Sequence, residues 1–294
     1  MKNRIFVLLY YKFVEVKDPA FETMQHKYVC DGLGLKGRVI IAQEGINGTV
    51  AGNSAQLKKY IDYMDNHPLF DGIVFKRSYA GKMPFGKMIV KHRDEIVTLG
   101  KKVDIGNTGK YLKPAELHDL FENDEDMVVV DMRNNYEYDV GRFEGAIQPD
   151  TTKFYELPSK VKNLKIDKDK KIVTYCTGGI RCEKATVLLK EIGYENVYQL
   201  EGGIVKYLEK YPDGYFKGKN FVFDNRMVTN VDTPSGKKVL SKCEHCGQPS
   251  DRYIDCTDTK CHRLFICCSK CDSQYSGKCT STGKIKSQST TSTK

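Results

Sequence analysis

A cysteine, two glycines and an arginine lie close together in the segment Cys176-Thr-Gly-Gly-Ile-Arg181. A thiolate is a strong nucleophile, and its pKa falls when backbone N–H groups and a cation surround it. Gly178 and Gly179 carry no side chains, so successive N–H groups can point inward and form an anion-binding nest. The segment therefore predicts a reactive Cys176 thiolate. The alternative is an inert thiol at the end of a core strand.

The residues on either side of this loop predict the elements that position it. The run Ile172–Tyr175 is apolar and rich in β-branched residues, which indicates a strand. After the loop, apolar residues recur at the spacing of one helical face, at Ala185, Leu188, Leu189 and Ile192. A helix that begins directly after the loop favours an anion at its N-terminus. We assign Thr177, Gly178, Gly179 and Ile180 to the loop and its pocket.

Cys182 lies six residues after Cys176, at the start of the predicted helix. It could form a disulfide with an oxidised Cys176 and so resolve a sulfenate or persulfide. A small residue that packs the first turn of a helix is an equally good interpretation. The sequence leaves both open.

Eight of the eleven cysteines lie between Cys243 and Cys279. An odd count, and a start that does not resemble a secretion signal, favour metal binding over a disulfide framework. The pairs Cys243/Cys246 and Cys268/Cys271 predict the four ligands of a structural zinc ion. The remaining cysteines, Cys256, Cys261, Cys267 and Cys279, could complete a second site, with His245 or His262 as substitutes. We include the first three among the ligands and expect Cys279 to be unligated.

The net charge of +9 is concentrated at the two ends of the chain. Residues 1–100 carry 15 basic and 10 acidic residues, residues 101–240 carry 23 of each, and residues 241–294 carry 9 and 5. The stretch from Lys76 to Arg93 is basic, and the aromatic residues Tyr79 and Phe85 lie within it, as phosphate binding and base stacking would require. A solvated basic face explains it equally well. The predicted RNA-binding residues are Lys76, Arg77, Lys82, Lys87, Lys91 and Arg93.

The element pattern predicts an α/β protein of several units. Residues 1–100 alternate strand-like and helix-like segments, which indicates a ferredoxin-like α+β domain. The segment Glu44–Thr49 predicts a tight reversal, because Asn47 and Gly48 tolerate the positive φ of a primed turn. Short buried strands with helices between them then predict a parallel-sheet α/β domain. The predicted boundaries are 1–100, a linker at 101–112, the parallel-sheet domain at 113–212, an extended connector at 213–240, a cysteine-rich module at 241–279 and a disordered tail at 280–294.

A mean hydropathy of -0.50 and the lack of any long apolar run indicate a soluble protein without a membrane partner, and we expect it in the cytoplasm. The sequence identifies no protein partner.

Motifs on both sides of the loop resemble those of rhodaneses. They are Asp131-Met-Arg133, Glu137, Gly141-Arg-Phe-Glu-Gly-Ala-Ile147, the loop itself and Leu200-Glu-Gly-Gly203. The resemblance implies that residues 113–212 are a rhodanese-like catalytic domain. Asp131 and Arg133 close the first strand of that domain, so we expect them to brace the loop.

The whole chain resembles the bacterial rhodanese-like tRNA uridine hydroxylases. The resemblance rests on the N-terminal Gly-Ile-Asn-Gly, the block Cys-Thr-Gly-Gly-Ile-Arg-Cys-Glu-Lys-Ala, the segment Phe221–Arg226 and the cysteine-rich end. It implies hydroxylation of the wobble uridine to 5-hydroxyuridine, with molecular oxygen as co-substrate and a tRNA anticodon loop as partner. No organic cofactor is evident from the sequence. Cys176 would be the essential thiol, and we add Arg181 and Cys182 to the catalytic set.

Two other functions stay open at this point. A sulfurtransferase that carries a persulfide on Cys176 needs only the loop. A non-catalytic RNA-binding module would retain an intact loop only by accident.

Overall fold

The computed structural model describes residues 4–229 and 238–281. The N-terminal unit contains strands β1 (Ile5–Phe13), β2 (Lys36–Ala42), β3 (Gly45–Asn53), β4 (Lys76–Tyr79) and β5 (Met88–His92), with helices α1 (Pro19–Gly32) and α2 (Ser54–Asp65). Its strand order is β4-β1-β3-β2-β5. The first four of these strands have the order and the antiparallel pairing of a ferredoxin-like fold, and β5 adds to the edge parallel to β2. The predicted ferredoxin-like domain is confirmed.

Strand β1 is apolar on both faces, and this decides how the N-terminal sheet is covered. Successive side chains of a strand point to opposite faces. Leu8 and Tyr10 are fully buried in the core beneath α1 and α2. Leu9 and Tyr11 therefore point to the other face, which packs against the next unit of the chain.

The tight reversal predicted in the segment Glu44–Thr49 lies at its very start, and Asn47 and Gly48 are not the turn residues. Both residues lie inside β3, opposite Tyr11 and Tyr10 of β1, and the chain turns before Gly45 instead. Gly48 is required for packing, because a Cβ there would lie 2.2 Å from the Tyr10 ring. The Asn-Gly pair, which is typical of a turn, is thus explained by packing of Gly48 against the neighbouring strand.

The central unit is a parallel sheet with helices on both faces, as predicted. Its elements are β6 (Lys110–Leu112), α3 (Pro114–Glu122), β7 (Met127–Asp131), α4 (Asn135–Val140), β8 (Gly141–Phe143), α5 (Leu157–Lys160), β9 (Lys171–Tyr175), α6 (Ile180–Glu191), β10 (Val197–Leu200) and α7 (Gly203–Lys210). The strand order is β6-β10-β9-β7, and all neighbours are parallel. Edge strand β6 falls inside the predicted linker 101–112, since three residues give no readable pattern.

The predicted connector at 213–240 contains short strands. β11 (Phe216–Gly218) pairs with β8, and β12 (Asn220–Phe221) pairs with β13 (Val228–Thr229). The cysteine-rich module consists of β14 (Tyr253–Asp255), β15 (Leu264–Ile266) and α8 (Ser269–Tyr275). Residues 230–237 of the connector and 282–294 of the predicted tail lie outside the described residues. Across the described ranges, no helix is long and apolar enough to cross a membrane.

Candidate active site

Cys176 lies in the loop between β9 and α6, at the carboxyl end of a central strand. Its side chain is fully buried. The backbone N–H of Gly179 donates a hydrogen bond to Cys176 Sγ at 3.1 Å. Gly179 has a φ of 105°, a left-handed value that favours glycine. The predicted nest is therefore formed in part by a backbone conformation that other residues rarely adopt.

The start of α7 holds this loop through backbone hydrogen bonds. The N–H groups of Ile204 and Val205 donate to the carbonyl oxygens of Cys176 and Thr177, at 3.0 and 3.1 Å. A Cβ on Gly203 would lie 2.4 Å from the Cys176 carbonyl oxygen. Gly203, the first residue of α7, is thus explained by close backbone approach.

The surroundings of Cys176 favour its anion. Burial raises the pKa of the thiol, but several groups act in the opposite direction. These are a hydrogen bond from the Cys182 thiol, the charge of Arg181, and the backbone N–H groups of Arg181 and Gly179; together they lower the pKa to about 5. Cys176 is therefore a thiolate at neutral pH.

Arg181 is held by a buried carboxylate that the sequence identified only as part of a motif. Its Nη1 and Nη2 donate to the two carboxylate oxygens of Glu137 at 2.5 and 2.7 Å. Burial raises the pKa of Glu137, but the Arg181 charge reverses this and leaves it below its usual value. Such a bidentate pair fixes the guanidinium plane. Arg181 is positioned close to the thiolate by this contact.

Asp131 and Arg133 lie at the end of β7 and form a fully buried ion pair, with Arg133 Nη2 2.6 Å from Asp131 Oδ2. Between them, the Met132 N–H donates to the carbonyl oxygen of Tyr175, directly before the loop. Their contacts hold the strand ends together beneath the site.

The N-terminal sheet covers the loop. A Cβ on Gly178 would lie 2.8 Å from Leu9 Cδ2, and one on Gly179 would lie 2.8 Å from the Tyr11 hydroxyl. Lys76 pairs with Leu9 across β1 and β4, and its Nζ lies 4.9 Å from the centroid of the Tyr11 ring. The two domains therefore form the site together, and the glycines of the loop admit side chains of the N-terminal sheet.

Lys76 was predicted to belong to an exposed basic surface, but it is only 4% exposed. Burial lowers the pKa of its ammonium to about 8, although the attraction of the Cys176 thiolate opposes this. Lys76 thus belongs to the surroundings of the thiolate. No sequence pattern indicates this position, because the contact joins residues far apart in the chain.

Two residues directly after Cys182 connect α6 to the N-terminal sheet. Tyr11 Oη donates to Glu183 Oε1 at 2.8 Å. Lys184 Nζ, on a side chain that is 2% exposed, lies 2.8 Å from Glu44 Oε1 and 2.6 Å from Glu95 Oε2. These contacts keep the N-terminal sheet over the thiolate.

The other predicted RNA-binding residues do not form one surface. Arg77, Lys82, Lys87, Lys91 and Arg93 are exposed. However, β4 and β5 lie at opposite edges of the sheet, so the residues at the two ends of the basic stretch are far apart. Phe85 is buried and cannot stack on a base, whereas Tyr79 is 60% exposed.

An exposed aromatic ring lies beside the active-site arginine. Phe223 is 47% exposed, and Arg181 Cζ lies 5.7 Å from the centroid of its ring. The segment that carries Phe223 contacts the N-terminal unit, where Asn225 N–H donates to the Pro84 carbonyl oxygen at 3.0 Å. In the sequence, Phe223 is distinguished only as part of the segment Phe221–Arg226 that carries the family resemblance, and no pattern there indicates a role for its ring.

The cysteine-rich module brings together two groups of thiols that could hold metal ions. In each group all sulfur atoms lie within 4.8 Å of one another; the first contains Cys243, Cys246, Cys268 and Cys271, and the second contains Cys256, Cys261 and Cys279. Two expectations need correction. Cys267 is in neither group, because its sulfur contacts the Cys268 carbonyl oxygen, and Cys279 is a member of the second group.

The low pKa of Cys176 can be tested by its ultraviolet thiolate absorbance, which does not require a reagent to enter the buried site. We expect a transition near pH 5 in the wild type that is absent from Cys176→Ser. In the double variant Glu137→Gln/Arg181→Met the cation is lost, and the pKa should rise by about 1–3 units.

Glu137→Gln alone is the matched control, since it keeps the cation and should leave the pKa low. Because the folded pKa lies below the unfolded one, the free energy of unfolding relative to Cys176→Ser should increase between pH 5 and pH 9. An unchanged pKa in the double variant would show that Arg181 does not stabilise the thiolate.

Comparison with known proteins agrees with this division of the chain. The matching families are described as UPF0176 acylphosphatase like domain over residues 5–96, rhodanese-like domain over residues 113–210 and rhodanase C-terminal over residues 217–283. Among solved structures, a rhodanese-related protein from Thermoplasma volcanium is 31% identical and covers 34% of this chain and 92% of its own, with a TM-score of 0.29.

Relatives of known name match along nearly the whole sequence. A tRNA uridine(34) hydroxylase from Bacillus licheniformis is 44% identical over 287 residues, which cover 95% of this chain and 88% of that protein. A protein of the same name from Bacillus cereus is 42% identical over 280 residues, covering 93% and 87%. The resemblance inferred from the sequence is confirmed, and the chain belongs to the tRNA uridine(34) hydroxylase family.

Proposed function

We propose that this protein hydroxylates uridine 34 of tRNA at C5, in the cytoplasm, with molecular oxygen as co-substrate and Cys176 as the reactive thiolate. The observation that carries the proposal is a fully buried Cys176 whose sulfur accepts a hydrogen bond from the Gly179 N–H, in a chain that matches a named hydroxylase over 95% of its length. A persulfide-transferring enzyme needs the loop alone. Persulfide transfer would leave the N-terminal sheet that covers the loop without a function.

A thiolate can activate the uracil ring by adding to C6. The new S–C6 bond forms as the C5=C6 π bond breaks, and the electron pair passes to C5 and O4 as an enolate. C5 then becomes nucleophilic enough to react with an oxidant. The Lys76 ammonium and the N–H groups of the loop are the local positive dipoles and charges that would stabilise this anion.

The closed site requires that the base leave its stack. Cys176 is fully buried, so a tRNA base can reach it only when flipped out and only when Leu9 and Tyr11 separate from the loop. Phe223 is exposed beside Arg181 and offers a ring on which a base of the anticodon loop would stack.

For the cysteine-rich module we propose a structural zinc ion held by Cys243, Cys246, Cys268 and Cys271. The four sulfur atoms lie within 4.8 Å of one another, which suits tetrahedral thiolate coordination. Bound there, zinc would join the two ends of the module and contribute to its folding.

Nucleoside analysis tests the function. In cells that lack the protein and any parallel pathway, 5-hydroxyuridine and its derivatives should disappear from tRNA and return with the wild-type gene. Cys176→Ala should fail to restore them, with activity reduced at least about 100-fold, because the nucleophile is missing.

Cys30→Ala is the matched control, since Cys30 is also a buried thiol but lies in the N-terminal core, away from the loop. It should restore the nucleosides. Normal 5-hydroxyuridine in the deletion strain would refute the hydroxylase proposal, and restoration by Cys176→Ala would remove the thiolate from it.

The stacking role of Phe223 can be tested by Phe223→Leu. Loss of one base contact of about 1.4 kcal/mol should raise the KM for tRNA roughly tenfold and leave kcat within about twofold. Tyr28→Leu is the control, because Tyr28 is exposed on α1, on the other face of the sheet. An unchanged KM in Phe223→Leu would exclude stacking.

Metal analysis tests the zinc proposal. The purified protein should contain at least one zinc per chain, and Cys246→Ser should lower the content by about one equivalent with loss of module stability. Cys267→Ser should keep the metal, because Cys267 lies outside both thiol groups. Wild-type protein with far less than one equivalent would contradict the proposal.

A further inference from the structure

We propose that Cys182 supplies the two electrons that the hydroxylation requires, so that each turnover leaves a disulfide between Cys176 and Cys182. This inference rests on the proposed function and adds the source of reducing power to it. It also names a second substrate class, a thiol reductant that restores the enzyme.

Strand and helix periodicity places Cys176 and Cys182 in the same core. Along β9, Ile172, Thr174 and Cys176 alternate onto one face, and Ile172 and Cys176 pack in the same core as the inner face of α6. Cys182 lies in the first turn of α6 and belongs to this core. Both cysteines are free and fully buried.

The loop draws the two cysteines together through its own hydrogen bonds. Gly179 N–H donates to Cys176 Sγ at 3.1 Å, while the Gly179 carbonyl oxygen accepts from Cys182 N–H at 2.9 Å. The Cys182 side chain lies near enough to the Cys176 sulfur to lower the pKa of that thiol. A thiol packed in the same closed core as the reactive thiolate, and joined to it through Gly179, is placed to reduce what forms on it.

The stoichiometry of the reaction creates the need for a reductant. Dioxygen that delivers one oxygen atom to uracil C5 must release the other as water, and this requires two electrons beyond those of the C–H bond. Uridine, dioxygen and two thiols give 5-hydroxyuridine, water and one disulfide. Atoms and electrons balance without another redox group.

The steps follow from the enolate formed by Cys176. Its C5 takes up dioxygen and, after protonation, carries a hydroperoxide. The Cys182 sulfur attacks the outer oxygen, so the O–O bond breaks, Cys182 becomes a sulfenic acid and C5 keeps a hydroxyl group. Loss of the C5 proton then expels Cys176 from C6 and restores the C5=C6 bond.

Formation of the disulfide is the last step of the reaction on the enzyme. The freed Cys176 thiolate attacks the sulfur of the Cys182 sulfenic acid, and hydroxide leaves as water. An external thiol, either a small molecule or a redox protein, then reduces the disulfide by exchange.

The different proton affinities of the two cysteines suit this division of roles. Burial raises the pKa of Cys182, and the neighbouring Cys176 thiolate raises it further. Cys182 therefore stays protonated while Cys176 attacks the base. Once Cys176 is bound to carbon it carries no charge, and the repulsion that disfavours the Cys182 thiolate ends.

The test is a burst experiment with the full-length protein. Reduced protein, freed of thiol, is mixed with excess tRNA transcript carrying an unmodified uridine 34 in air-saturated buffer. We expect about one 5-hydroxyuridine per chain and then arrest, with one Cys176–Cys182 disulfide found by mass spectrometry of the linked peptides. Dithiothreitol should restart turnover.

Cys182→Ser separates reduction from hydrogen bonding. Its hydroxyl can still donate to Cys176 and keep the thiolate, which the ultraviolet titration measures, but it cannot form a disulfide. The burst should fall at least about tenfold. Cys30→Ala should give the wild-type burst, because Cys30 lies in the other core.

Several results would overturn the inference. They are repeated turnover of the wild type without added thiol, a full burst in Cys182→Ser, and a disulfide formed between other cysteines at the arrest. A wild-type protein that forms no 5-hydroxyuridine even with dithiothreitol would instead contradict the proposed function itself.

Discussion

The structure depends on the burial of one negative charge. An anion removed from water is costly unless nearby groups compensate it. At Cys176 the compensation comes from loop N–H groups, the Cys182 thiol and Arg181. Arg181 is itself a buried charge and requires Glu137, which lies on another helix. The stabilisation of a single sulfur atom therefore organises the carboxyl ends of the central strands.

The same requirement explains the two-faced character of β1. Gly178 and Gly179 carry no side chains to cover the thiolate on the side of the N-terminal sheet, and water there would weaken every interaction with the thiolate. Leu9 and Tyr11 fill that side, while Leu8 and Tyr10 hold the helices of their own domain. A strand with one polar face could not meet both demands, which is why β1 carries apolar or aromatic side chains on both faces from Ile5 to Tyr11.

Local patterns predicted much of this protein. The strand, loop and helix around Cys176 follow from residues adjacent in sequence, and the pairs Cys243/Cys246 and Cys268/Cys271 follow from spacing. Features that depend on distant contacts were wrong or absent. The buried position of Lys76, the packing of Gly48 under Tyr10, and the exchange of Cys267 for Cys279 at the second thiol group are all set by tertiary neighbours.

The contacts of Glu183 and Lys184 have a further consequence. These residues directly follow Cys182, and their partners lie on the N-terminal sheet and the segment after it. The first turn of α6, which contributes to the surroundings of the thiolate, thus also holds the N-terminal domain against the central domain. Any movement that admits a base must disturb that turn, so entry of the substrate and the reactivity of the sulfur are mechanically linked. An isolated central domain would keep the loop but lose this coupling.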